Sequence, residues 1–138
     1  MSYDLTIRPD EKFSRSVPRD PLAAFIAQLP FVCHADRSQF VLDEKPKRWM
    51  EISLETVDAD GSRIEKDGEA CGTTNCIRLH IPYAFFGKRP ELDYFPTAFA
   101  IADHLGWSLY DEQSGENIPR DAIASDTTQP QKPWWRFW

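Results

Sequence analysis

Met50-Glu51-Ile52-Ser53-Leu54-Glu55 alternates apolar with polar side chains, and Ile77-Arg78-Leu79-His80-Ile81-Pro82-Tyr83 repeats the pattern further along the chain. Successive side chains of a strand point to opposite faces, so each run presents one apolar and one polar face, the pattern of a half-buried strand. The interval from Asp58 to Thr74 carries Asp60-Gly61, Asp67-Gly68 and Cys71-Gly72 as turn signals and has no apolar period. The two runs therefore read as strands joined by a long hairpin loop and paired antiparallel, with Pro82 marking the end of the second.

Upstream, Phe40-Val41-Leu42 before Asp43-Glu44-Lys45-Pro46 reads as a short strand and turn, and Tyr3, Leu5 and Ile7 alternate with Asp4, Thr6 and Arg8 until Pro9 ends a first strand. Between these, Asp20 and Pro21 supply an N-cap and a first-turn proline. Leu22, Phe25, Ile26 and Leu29 then follow at helical spacing up to Pro30. Downstream, Asp93 as N-cap, Pro96 in the first turn and Phe95, Phe99, Ala102 and Leu105 on one stripe predict a second helix, closed by Gly106. Trp107-Ser108-Leu109-Tyr110-Asp111 reads as a closing strand, with a turn at Ser114-Gly115 before Ile118. The order β-α-β-β-β-α-β predicts an α+β fold: one antiparallel-rich sheet of about five strands with two helices on one face, a ferredoxin-like variant.

This domain spans residues 1–118, and residues 119–138 form a polar linker and an aromatic tail, Pro133-Trp134-Trp135-Arg136-Phe137-Trp138. Leaving such rings in water forfeits roughly 1.5 to 3 kcal/mol for each large apolar side chain. The tail is therefore expected to dock, either on its own domain or on a second copy, where exchange would give a homodimer.

The 138 residues suffice for one domain with its own core, and 41% apolar with 28% charged residues excludes collagen-like, coiled-coil and fully disordered classes. A formal charge of −6 argues against non-specific nucleic-acid binding and favours a basic partner. The N-terminus lacks the apolar run of a secretory signal and no stretch is long enough to cross a membrane, so a cytoplasmic location is expected. Cys33, Cys71 and Cys76 are an odd count, read as reduced thiols.

No phosphate-loop, dinucleotide, zincin or serine-hydrolase string occurs. Cys71 and Cys76 are spaced too widely for a zinc knuckle, while Cys76 and His80 lie ~13 Å apart on one strand face at ~3.3 Å per residue, so neither metal nor cofactor is expected. Adjacent Cys33 and His34 would point to opposite faces and make a poor nucleophile pair. Three surfaces remain. The polar face of the central hairpin brings Glu51 and Glu55 opposite Arg78 and His80, which suits acid–base chemistry or cross-strand ion pairs. The loop holds Asp58, Asp60, Glu65, Asp67 and Glu69 against Arg63 and Lys66, a local charge of −3 that can steer a basic partner. Tyr83, Phe85 and Phe86, rimmed by Lys88 and Arg89, join Trp134, Trp135 and Trp138 of the tail as candidate interface anchors.

Met1-Ser2-Tyr3-Asp4-Leu5 at the front and Ala100-Ile101-Ala102-Asp103-His104-Leu105-Gly106-Trp107-Ser108-Leu109-Tyr110-Asp111-Glu112-Gln113-Ser114-Gly115 near the end resemble small bacterial α+β proteins found among polymorphic-toxin immunity proteins and related uncharacterised families. In these a helix ending in Leu-Gly leads to a strand closing on an Asp-x-Gln-x-Gly turn. The resemblance covers about a fifth of the chain, excludes the central hairpin and the tail, and carries over no functional residue. It implies a non-catalytic protein that binds a cognate, basic toxin domain. The alternatives are a small enzyme or ligand-binding domain using the hairpin's polar face, and an adaptor that presents the aromatic tail.

Overall fold

The computed structural model describes residues 2–36, 38–45, 47–62, 64, 72–86 and 90–119. Its framework is a seven-stranded sheet in the order β3-β4-β5-β7-β1-β8-β9, every neighbouring pair antiparallel. The strands are β1 (Ser2–Arg8), β3 (Val32–Asp36), β4 (Gln39–Glu44), β5 (Arg48–Glu55), β7 (Cys76–Pro82), β8 (Ser108–Asp111) and β9 (Glu116–Asn117). A second, two-stranded sheet pairs β2 (Val17–Pro18) with β6 (Thr73–Thr74). Helix α1 (Arg19–Ala27) follows β2, and the short α2 (Pro90–Asp93) and longer α3 (Phe95–Leu105) lie between β7 and β8.

The register explains the layering. Tyr3, Leu5 and Ile7 stand opposite Ile81, Leu79 and Ile77, which in turn face Ile52 and Leu54; Phe40 and Leu42 then meet Ile52 and Met50. Period two thus collects the apolar positions of four strands on one face, where all of these side chains are buried. Leu22 and Ile26 of α1 and Phe95, Ala98, Phe99, Ile101 and Ala102 of α3 close that face in a single core. Each large side chain so buried contributes about 1.5–3 kcal/mol, which outweighs the weak local signals at the helix ends.

Those ends differ from the expectation. The residue preceding α1 is Pro18 and that preceding α3 is Tyr94, rather than Asp20 and Asp93, and neither cap makes a side-chain hydrogen bond. Asp20 lies instead in the first turn of α1, where its charge still complements the helix dipole. Gly106 does close α3 in the left-handed region, at φ +70°.

The sheet has seven strands where about five were expected. Of β3, only Val32 is buried while Cys33, His34, Ala35 and Asp36 are exposed, so this edge strand has no alternation to read. Strand β9 is two residues long and both are exposed. The predicted long hairpin between β5 and β7 exists, but its connection contributes β6. There Arg19 is 6% exposed and donates to Ser38 Oγ, Thr56 Oγ1 and the Thr73 carbonyl, tying α1 to the β4, β5 and β6 segments. Among the described residues, no helix is long and apolar enough to cross a membrane.

Candidate partner surface

One end of the sheet is where β3, β5 and β1 begin and β4, β7 and β8 finish. Sequence alternation does not bury every ring there, because the strands stop and their flanking residues leave the paired register. Phe31 just before β3 is 52% exposed, Tyr83 just after β7 is 41% exposed, and Leu92 of α2 is 41% exposed. Phe31 adopts a positive φ of 64°, a conformation costly for a non-glycine residue, and its carbonyl accepts from the Asp43 amide at 2.9 Å. The Arg48 guanidinium lies 5.3 Å from the Phe31 ring centroid, and the Trp49 and Phe85 rings are 6.1 Å apart. Lys45 reaches over Trp49 at 5.8 Å.

The rings are held from beneath. Tyr94 is fully buried; its hydroxyl donates to the Phe85 carbonyl and accepts from the Trp49 amide at 3.2 Å, so it clamps the 3-10 turn Tyr83–Phe85 to the start of β5. Phe86 packs edge-on against Tyr3 at 4.8 Å and is half-buried, as is Phe85. The Tyr83 hydroxyl accepts from Gln113 Nε2 at 2.9 Å. Below it, Tyr3 donates to Asp111 Oδ2 at 2.7 Å, and Asp111 Oδ1 accepts from the amides of Gln113 and Ser114. Burial and the Asp111 bond hold the Tyr3 phenol far above its ordinary pKa, so it remains a donor. The 3-10 turn that carries Tyr83 and Phe85 is thus tied to the core through Tyr94 and to the β8–β9 turn through Gln113.

Of the expected anchors, Tyr83 is exposed and Phe85 and Phe86 are partly so. Trp134, Trp135 and Trp138 lie outside the described residues, with Lys88 and Arg89. Phe31, Trp49 and Leu92 join this end without having been singled out. Phe31 follows a helix-stopping proline and is exposed, while Trp49 occupies a polar-face position of β5 and is half-buried, placements that are read only once the strands are set.

The polar hairpin face is formed as expected: Glu51 stands opposite His80, Ser53 opposite Arg78 and Glu55 opposite Cys76. Its charges are engaged with each other. Arg78 pairs with Glu55 at 2.9 Å and Glu112 at 3.2 Å and donates to the Gly61 carbonyl at 2.8 Å, while His80 Nδ1 meets Asp4 at 2.8 Å. Glu51 is exposed and makes no ion pair with another described residue. These contacts are those of cross-strand ion pairs on a half-solvated face. Toward the Arg8 end this face is covered by the 10–14 and 56–62 loops, leaving Cys76 fully buried, and burial pushes its thiol up to about 12. Cys33, by contrast, is exposed.

In the acidic loop, Asp58 and Asp60 are exposed, whereas Glu65, Asp67 and Glu69 lie outside the described residues. Asp58 Oδ1 accepts from the Asp60 and Ser62 amides at 2.9 and 3.0 Å, so it shapes the turn, and Asp60 projects from it. Among the described residues no group of three or more His, Cys, Asp or Glu side chains could hold a metal.

The class these features define is an α+β domain with a ring-bearing sheet end and an anionic loop. No family model, no curated protein and no solved structure matches this chain.

Proposed function

We propose that the chain is a non-catalytic, cytoplasmic protein-binding protein, and specifically an immunity protein that neutralises a basic bacterial toxin domain. The observation that carries this reading is the ring-bearing end of the sheet, where Phe31, Tyr83 and Leu92 remain 52%, 41% and 41% exposed although a large core is available to bury them. Preorganised aromatic anchors of this kind cost little entropy on association and supply most of an interface's affinity. The net charge of −6 and the exposed Asp60 loop favour a basic partner. The order β8-β1-β7-β5, with α1 and α3 on the apolar face, supports reading the fold as a ferredoxin-like variant into which β3 and β4 are inserted.

The test is capture from the source cells at low and moderate salt, followed by expression of any stoichiometric basic partner alone and with this chain. The partner should be toxic alone and harmless in the presence of the wild-type chain. A Phe31→Ser/Tyr83→Ala double variant should lose that protection while keeping the fold. A partner that is not toxic, or protection that survives the double variant, overturns the reading.

A further inference from the structure

At the opposite end of β1 from the aromatic surface, a cleft of about 550 Å³ opens between the 9–14 turn and the β8–β9 strip, lined by Arg8, Glu11, Lys12, Ser14, Ser108 and Asn117 together with Pro9 and Asp10. Its volume lies within the range of small-molecule sites, roughly 300–1,000 Å³. One wall is preformed. Asp10 Oδ1 accepts from the Lys12 and Ser14 amides at 2.9 and 3.1 Å, and its Oδ2 accepts from the Ser14 hydroxyl. The Ser14 bonds hold the Asp10 carboxyl below its ordinary pKa, so its charge is committed to the turn. Phe13 in the same turn takes a positive φ of 54°, is fixed by a bond from Asn75 Nδ2 to its carbonyl at 3.1 Å, and lies against Gly61. Strain at a non-glycine residue persists only where its surroundings over-determine it, and here both neighbours do so.

The floor is Arg8. Its guanidinium lies 3.7 Å from the Tyr110 ring centroid and 6.0 Å from that of Phe13. Neither Arg8 nor Lys12 forms an ion pair with a carboxylate of any described residue, although the chain is acidic overall. A guanidinium stacked on a ring keeps its edge of N–H donors free and in fixed orientation, the geometry that accepts a carboxylate in two parallel hydrogen bonds. Ser108 and Asn117 add neutral hydrogen-bonding groups beside it. Asp10 and Glu11 in the same lining oppose a polyanion.

We propose that this cleft binds a small free carboxylate, held by the Arg8 guanidinium edge with Lys12 as a second cation. The site is independent of the partner surface at the other end of the sheet. Titration of the full-length protein with succinate, followed by the Arg8 Nε–H and the Ser108 and Asn117 amide resonances, should give saturable shifts. Arg8→Gln should weaken the succinate affinity at least tenfold, and Lys12→Gln, an exposed substitution that leaves the Tyr110 stack in place, should weaken it several-fold. Inorganic phosphate should bind more weakly than succinate, and pyrophosphate should not saturate. Shifts matched by sodium chloride at equal ionic strength, succinate affinity retained in both variants, or phosphate binding more tightly would each overturn the proposal.

Discussion

Tyr3 and Asp111 show what a single buried pair does for this molecule. Asp111 is fully buried on the apolar face opposite Leu5, where a carboxylate persists only with its oxygens occupied. Tyr3→Phe removes one donor and leaves the amides of Gln113 and Ser114, so the loss should be about 1–3 kcal/mol, read as a lower urea midpoint with an unchanged slope. Cys76 makes a pH-dependent counterpart. Its thiol is raised from 9.0 to about 12 by burial, so its contribution to stability is fully present below pH 9 and is lost as pH rises toward 12. In a Cys71→Ser background, a thiol reagent at pH 8 should label Cys33 and spare Cys76 until urea unfolds the chain. Cys76→Ala should lessen the fall in stability between pH 8 and pH 10. At this scale the sequence showed which residues alternate, and Tyr3, Cys76 and Arg78 fell on the faces expected. It did not show that Asp111 is buried, because a carboxylate at a strand end before a turn reads as solvated until its donors are known.

Among the elements, α3 has the clearest local specification. Gly106 closes it at φ +70° with nothing within 4 Å of where a Cβ would sit, so a substitution meets backbone strain and no clash. Gly106→Ala should therefore cost about 1 kcal/mol, measured by chemical denaturation, with the helix retained. The helix starts were less legible: Asp20 and Asp93 are good capping residues, yet the chain begins its helices at Arg19 and Phe95. Burial of Leu22, Ile26 and Phe95 sets those boundaries, and a missing side-chain cap costs only about 1 kcal/mol. Strand β3 was hidden for the opposite reason. It is held by pairing to β4 with a single buried side chain, so its order comes from backbone bonds that leave no apolar pattern.

For the whole molecule, charge and shape act at different places. The anionic loop carries Asp60 into solvent, while the exposed rings lie at the end of the sheet. Charge reversal at Asp60, Glu65, Asp67 and Glu69 should slow association with the partner about tenfold at low salt and flatten its salt dependence, with little change in dissociation, as stopped-flow measurements can separate. Asp58 is left intact in that variant because its carboxylate forms the turn.

The sequence by itself determined the α+β class, the central antiparallel hairpin, the polar face that carries Glu51, Glu55, Arg78 and His80, the glycine that ends α3 and the acidic loop. All of these follow from local periodicity, turn chemistry or composition. Only the tertiary structure decided the order of the seven strands, the exposure of Phe31 and Leu92 beside the half-buried Trp49, and the cleft in which Arg8 stacks on Tyr110. These depend on which distant segments pair and where the helices stop covering the sheet, and burial of the whole core sets both.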